Sequence, residues 1–556
     1  MHTPRDVDAD FLALPLDALA DAALQVARDA GATYAAVRVQ QVRETTVRVR
    51  DRAVEGSSDV TDAGLSVRVV LDGVWGFAAH SRLDVTTAAR TAALAVRSAT
   101  VARPLVLRPV RLAPVEVQQG TWVSSYALDP FDVPADEQAG LLLGWGEQVL
   151  AAGASHAEAE SWCVKEQKFY ADLDGSRTVQ QRVRMHPGVT AVVVADDGRV
   201  DTVRSLAPPV GRGWEYLSGH DAPLVLELPG LAEAAREKLA APSVEPGRYD
   251  LVIDPSQLWL TIHESVAHAT ELDRALGYEA AYAGTSFATP DGLGTRRYGS
   301  DLMTVTGDRV VEHGLSTVGW DDEGVPAQTW DIVRDGVHVG YQLDRAMAAE
   351  RGEASNGCAY ADTAVHAPVQ RMPNVSLAAD PDGPDLDGLV AGVEDGILVR
   401  GDRSWSIDMQ RYNFQFTGQT FHRIRSGRVT GMLRDVAYQA STPDFWARLS
   451  AVGGPSTWSL QGALNCGKAQ PGQAAPVSHG CPAACDAAKS APSSRAVADS
   501  SSGEARSGSS AKSALTVPAI RGAASSATSA RPATAAASAT RRSTPSRSVT
   551  CRTSPP

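Results

Sequence analysis

No phenylalanine, tryptophan or tyrosine follows Trp458 in this chain of 556 residues, and from about residue 485 the sequence is mostly Ala, Ser, Thr, Pro and Arg. Such a stretch buries too little apolar area to offset the entropy of ordering it, so residues 485–556 are expected to form a disordered Ala/Ser-rich tail. A frame slip in a GC-rich coding sequence produces the same composition, and an intact mass of the native protein distinguishes the two. The information that specifies a fold therefore lies upstream, over a length that allows substantial cores.

Charge divides at the same place. From Asp486 onward ten Lys/Arg face three Asp/Glu, a +7 segment, so a whole-chain charge of −13 leaves −20 on residues 1–485. A surface this acidic argues against nucleic acid as a partner, because phosphate binding needs a basic footprint. The N-terminal stretch carries acids where a secretory signal needs a basic region. No run approaches the roughly 18 apolar residues of a membrane span. The six cysteines (Cys163, Cys358, Cys466, Cys481, Cys485 and Cys551) are scattered, which does not suggest a disulfide framework. The expectation is a cytoplasmic protein with no membrane partner.

Periodicity predicts a mixed first half. Leu16, Leu19, Ala23, Val26 and Ala30 recur at helical spacing before Gly31. Strand-like runs follow at Tyr34–Gln41 and Thr45–Arg50, then an alternating run to Leu71 ahead of an Asp72-Gly73 turn. Ser81 with Asp84 suggests a capping box before an Ala-rich helix to about Ala99. Pro134 opens another helix, strands are expected around 155–172, 178–186 and 190–196, and a further helix near 228–241. From Tyr249 the pattern is strand, helix from Pro255 to about Asp273, then short strands between Gly/Asp turns. The reading is α+β: an N-terminal α/β domain over 1–225 and a β-rich C-terminal domain over 226–484.

The segment with the most chemistry runs from Asp254 to Asp273. Asp254 is placed to cap and Pro255 to occupy the first helical position, while Leu258, Trp259, Ile262 and Val266 supply an apolar face. His263-Glu264 and His268 then fall inside the helix. In the common zinc-protease pattern two histidines stand at i and i+4 and share one ion. Here they stand at i and i+5, roughly 140° apart on a regular helix at about 100° per residue, too divergent for a shared ion. A π-bulge between them restores convergence, so a metal site here requires a widened turn. A third ligand must come from elsewhere. Cys466, in the Gly-rich stretch Asn465–Gln473, is one candidate, and an inert buried thiol is the alternative.

At these residues the chain resembles the TldD/PmbA family, in its catalytic TldD branch and the actinobacterial type. The resemblance is carried by HESVAHATELDRALGYEAAYAGTSF (263–287), VGWDDEGVPAQ (318–328), QRMPNV (370–375), NCGKAQPGQ with VSHGCP (465–482), and GVWGFAAHSR (73–82). It implies a β-rich metallopeptidase domain carrying the metal-binding helix. It also implies Zn²⁺ held by His263, His268 and Cys466, with Glu264 as acid/base. The implied partners are unfolded peptide substrates and a second subunit, in a homodimer or in a heterodimer with a TldE/PmbA-like chain. Ala267 stands where many relatives have Gly. The family continues past Pro482 with closing strands, where this chain enters its Ala/Ser tail.

Other side chains carry smaller expectations. Glu271 and Asp273 are alternative third ligands or hydrogen-bond partners for the histidines, against the commoner reading of solvated helix-end charges. Asp321-Asp322-Glu323 reads as a surface turn, His479 and Cys481 as loop structure, and Cys163 and Cys358 as structural thiols. A β-rich wall can hold an extended peptide by adding it to a sheet edge. The competing functions are a non-catalytic peptide-binding partner subunit, a regulator of a DNA-processing enzyme, and a zinc-dependent amidase or esterase.

Overall fold

The computed structural model describes residues 6–219 and 222–488; the tail expected over 485–556 falls, from residue 489 on, outside the described residues. The first half is built on a seven-stranded sheet. Its order is Val74–His80, Ala53–Leu71, Tyr34–Arg50, His156–Asp172, Arg177–Val194 and Gln119–Val123, with Val200–Arg204 also paired to Arg177–Val194. Tyr34–Arg50 is one strand of 17 residues, not the two the sequence suggests, because its polar middle is still paired on both sides. Asp72 and Gly73, both at positive φ, make the tight turn to the edge strand. The Ser81–Asp84 capping box does not form; Asp84 alone caps, accepting from Thr87 N at 2.8 Å.

Strand alternation explains both faces of this sheet. Val37 and Val39 lie under the helices Leu16–Asp29 and Val85–Ala102. Val47 and Val49, on the same face further along, lie under Ala135–Ala151 and Pro223–Ala240. Arg38 and Gln40 point the other way and are polar yet buried: Arg38 reaches Asp322 at 2.9 Å and Gln40 the Asp362 carbonyl at 2.9 Å. That polar layer joins the first half of the chain to the second. Asp321-Asp322-Glu323 is therefore not a surface turn. All three are buried, with Lys168 on Asp322 and Arg68 on Glu323. Asp321 accepts backbone N–H from Glu323, Val325 and Ala359. Burial, with Glu323 nearby, pushes its carboxyl up to about 7.

The second half is β-rich, as its turn-punctuated sequence suggests. Its main sheet runs Arg428–Leu433, Asn413–Arg425, Asp395–Ile407, Asp250–Ile253, Ala484–Asp486 and Leu449–Val452, with Tyr438–Ser441 on Asn413–Arg425. Asp250–Ile253 lies parallel to Asp395–Ile407 and feeds directly into the helix Pro255–Ile262. Ala484–Asp486 corrects one expectation. The chain does continue its sheet after Pro482, because this strand inserts antiparallel between Asp250–Ile253 and Leu449–Val452. A hairpin of Ser459–Lys468 with Gln473–Cys481 completes the surroundings of the helix. Among the described residues no helix is long and apolar enough to cross a membrane.

Candidate metal centre

Asp254 caps the central helix by accepting from Ser256 N at 3.0 Å, and Pro255 occupies its first turn. Leu258, Ile262 and Val266 enter the main core with Phe416, Tyr438 and Trp446. The regular helix ends at Ile262. His263–Ala267 is a π-helical turn and His268–Thr270 a 3₁₀ turn, so the extra residue between the histidines is accommodated by widening, as their spacing requires. The carbonyls that such a turn frees are taken by side chains. Tyr298 OH donates to Ser265 O, Gln342 Nε2 to Ala267 O, and Thr270 Oγ1 to Val266 O. Ser265 Oγ donates to Thr261 O and accepts from Trp446 Nε1.

The widened turn brings the two imidazoles to 4.7 Å between ring centres, and Cys466 approaches from the hairpin. Cys466 sits within the strand Ser459–Lys468, beside a register shift, and not in a loop. Its Sγ is 3.5 Å from His268 Nε2, and one ligand atom from each of His263, His268 and Cys466 lies within 4.8 Å of the others. Metal bonds of about 2.0–2.3 Å in a tetrahedron set ligand separations of roughly 3.4–3.7 Å. The edge from His268 to Cys466 already has that length, and the other edges need to close by at most about 1.4 Å.

Hydrogen bonds behind the rings fix which nitrogens face the centre. His479 Nδ1 lies 2.9 Å from the Val375 carbonyl, an acceptor only, so Nδ1 carries the proton of the neutral ring. His479 Nε2 is then an acceptor, and it lies 2.8 Å from His263 Nδ1, which must donate. The lone pair of His263 is thereby placed on Nε2. His268 donates from Nδ1 to Glu271 Oε2 at 2.9 Å, which leaves its Nε2 lone pair facing Cys466. Burial lowers the pKa of both His263 and His268, which favours neutral rings. Burial alone would raise the Cys466 thiol, but the Arg371 guanidinium and His268 outweigh it and the net shift is downward, toward thiolate. Burial thus favours neutral rings at both histidines, and the permanent charge of Arg371 favours thiolate at Cys466.

Glu271 is therefore the hydrogen-bond partner of His268 and Asp273 that of Lys468, and neither is a solvated charge. Glu271 is fully buried and also takes Lys468 Nζ at 3.1 Å and Arg274 Nε at 3.2 Å, and Asp273 takes Lys468 Nζ at 2.8 Å. The carbonyl of Cys466 accepts from Arg371. Glu264, next to His263 in the chain, is buried with its Oε2 3.2 Å from Arg411 Nη1. Cys163 and Cys358 are buried thiols that burial pushes up to about 12, consistent with inert structural roles. Reasoning from sequence missed His479, which is not loop structure but a fully buried strand residue stacked on Trp259. Its place two residues before Cys481 hid it, since that spacing excludes shared ligation and says nothing of a role behind another ligand. Replacing His479 by Leu leaves the His263 Nδ1 proton without an acceptor. Metal affinity is expected to fall about 10–100-fold, read by competition with a chelator of known affinity.

The fold and site define a β-rich α+β protein with a buried His–His–Cys cluster on a π-turn. The model of the PmbA/TldA metallopeptidase C-terminal domain matches residues 246–485, and that of PmbA/TldA metallopeptidase domain 1 matches residues 35–99. The chain belongs to the PmbA/TldD family. It is 26% identical over 446 residues to a metalloprotease of Synechocystis sp., covering 79% of this chain and 90% of that one. It is 24% identical over 456 residues to a metalloprotease TldD homolog of Haemophilus influenzae, covering 81% and 91%. Among solved structures, TldE from Thermococcus kodakarensis shares the fold with a TM-score of 0.61 at 15% identity, covering 84% of this chain and 98% of that one. A Thermotoga maritima protein described as a candidate modulator of a DNA gyrase does so at 0.66 and 13%, covering 84% and 97%.

Proposed function

We propose that this protein is a zinc-dependent peptidase that hydrolyses unfolded or extended peptides. The observation that carries the reading is the convergence of one ligand atom each from His263, His268 and Cys466, with Glu264 next to His263 in the chain and outside that set. Two imidazoles and a thiolate suit zinc, and the ion when bound supplies an acidified water and polarises the scissile carbonyl. Glu264 takes a proton from the attacking water as its oxygen bonds to the carbonyl carbon. It returns that proton to the leaving amine as the C–N bond breaks. His479 and Glu271 hold the ligand rings in the tautomers the site needs. In this reading residues 226–484 form the peptidase domain and residues 1–225 an N-terminal domain against it.

The relatives' metalloprotease names support hydrolysis of peptides, and a second subunit, identical or TldE-like, belongs to the same reading. An acidic chain with no membrane-crossing helix among its described residues suits work on peptides in the cytoplasm. The decisive experiment couples zinc quantitation of the purified protein with cleavage of an unfolded peptide, with and without chelator. About one zinc per chain, with cleavage abolished by chelation and restored by added zinc, is the expected result. Cleavage that survives complete removal of metal overturns the proposal.

A further inference from the structure

The hairpin joining Asp395–Ile407 to Asn413–Arg425 turns over the helix that carries Glu264, and its tip is built rigidly. The Asp408 carboxylate accepts from the backbone N–H of Gln410, Tyr412 and Asn413. Met409 O and Gln410 O accept from Thr285 N and Phe287 N, and Arg411 O accepts from Thr442 Oγ1 at 2.8 Å. A side chain at Gly284 would meet Met409 O at 1.9 Å, so the tip seats on a residue that must be glycine. Arg411 itself stands at φ 61°, a conformation a non-glycine residue keeps only where its surroundings impose it. This framework delivers one guanidinium to Glu264.

That guanidinium is underused. It makes a single 3.2 Å contact to Glu264, longer than the roughly 2.7–2.9 Å of a strong charge-assisted bond and not the two-pronged pairing that arginine and carboxylate usually adopt. Its Nε is buried and donates to nothing among the described residues. Other nearby cations are engaged or sealed off. Arg274 is tied to Glu271, Glu279 and the Ala283 carbonyl, Lys468 to Glu271 and Asp273, and Arg371 is 1% exposed against the Cys466 carbonyl. The Arg411 side chain remains 14% exposed, open to a substrate. The chemistry asks for such a group. A dication bound by one thiolate and two neutral rings keeps a net charge of only +1, so it neutralises less of the charge that develops on a scissile carbonyl oxygen than an all-histidine site does.

We propose that Arg411 is a catalytic residue that hydrogen-bonds the scissile carbonyl oxygen and stabilises the negative charge formed on it. The inference rests on the peptidase reading above. When water adds to the carbonyl carbon, the C=O π pair moves onto oxygen. Arg411 donates hydrogen bonds to that oxygen without giving up a proton. The pair returns as the C–N bond breaks and Glu264 protonates the amine. A donor aimed at the transition state lowers kcat when removed and leaves ground-state binding nearly intact.

The test uses the full-length holoprotein and Arg411→Gln and Arg411→Lys variants, each checked for unchanged zinc content and thermal midpoint. Turnover is measured on β-casein as an unfolded substrate. Binding is measured with a phosphinic peptide built on the bond that is cut, whose tetrahedral anion mimics the charged intermediate, and with the uncut peptide on a Glu264→Gln background. Arg411→Gln is expected to lose about 10²–10³ in kcat with KM changed less than threefold. Its phosphinate affinity should fall by a similar factor while uncut peptide binds as before, and Arg411→Lys should recover part of both. If wild type cleaves and binds the phosphinate and Arg411→Gln matches it, the role of Arg411 is overturned and the peptidase reading stands. If wild type does neither, both fall together.

Discussion

Glu264→Gln is expected to keep its full zinc complement and to lose about 10²–10⁴ in kcat, the range general acid–base groups supply. The two halves of that expectation come from different observations. Metal retention follows because the ligand atoms that converge are those of His263, His268 and Cys466, while the Glu264 carboxylate is turned to Arg411 at 3.2 Å. The amide keeps the shape of the carboxylate and still offers an oxygen to that guanidinium, so the buried pocket loses a charge but not its packing or its hydrogen bond. Activity loss follows because an amide cannot accept the water's proton. Elemental analysis and steady-state turnover on the same preparation read both halves. Undiminished turnover in the variant removes Glu264 from the mechanism, and loss of metal instead of activity per metal assigns it to the ligand set.

The metal cradle was readable in part because geometry forbids its plain form. Histidines at i and i+5 cannot share an ion on a regular helix, so a shared ion would need a widened turn, and one is found at His263–Ala267. Cys466 is another matter. Nothing in its spacing ties it to a histidine 198 positions away; its Gly-rich segment made it one candidate against an inert thiol, and the family resemblance favoured the first before the distance of 3.5 Å was seen. His479 and Arg411 left no local signal at all. One is a strand residue whose importance lies in the proton it accepts from His263, and the other is a single arginine at a hairpin tip.

The misreading of Asp321-Asp322-Glu323 has a plain cause. Local pattern equates polar with exposed, and this protein buries a polar layer between its two halves. Arg38 and Lys168 come from adjacent strands of the first sheet, and Asp322 comes from more than 150 residues further along the chain. A DDEG turn then reads as surface until the cations arrive. The outer part of Ala53–Leu71 fails for the opposite reason. Its first ten residues are exposed on both faces, so no alternation marks them, and only pairing with Tyr34–Arg50 defines the strand. The helices Leu16–Asp29 and Pro255–Ile262 were legible because each has one buried stripe or a clear cap.

Cys466→Ser is expected to purify with little or no metal and to lose cleavage with it. A serine hydroxyl stays protonated where the thiol is held toward thiolate, so the substitution removes both the soft donor and the one negative charge among the three ligands. It also leaves Arg371, fully buried against this strand, facing a neutral group. Metal that binds only the folded chain adds stability by mass action, about 3–4 kcal/mol when the free ion stands at 100 to 1,000 times its dissociation constant. Chelating the wild type should therefore lower its thermal midpoint toward that of Cys466→Ser, whose own midpoint should not respond to chelator. Cys163→Ser, at a buried thiol within a strand of the first sheet, tests whether any lost cysteine has this effect, and it should keep both its metal and its chelator response. Full zinc in Cys466→Ser, or a midpoint that chelator lowers as far as in the wild type, removes the thiolate from the cradle and leaves two histidines as its only ligands from this triad.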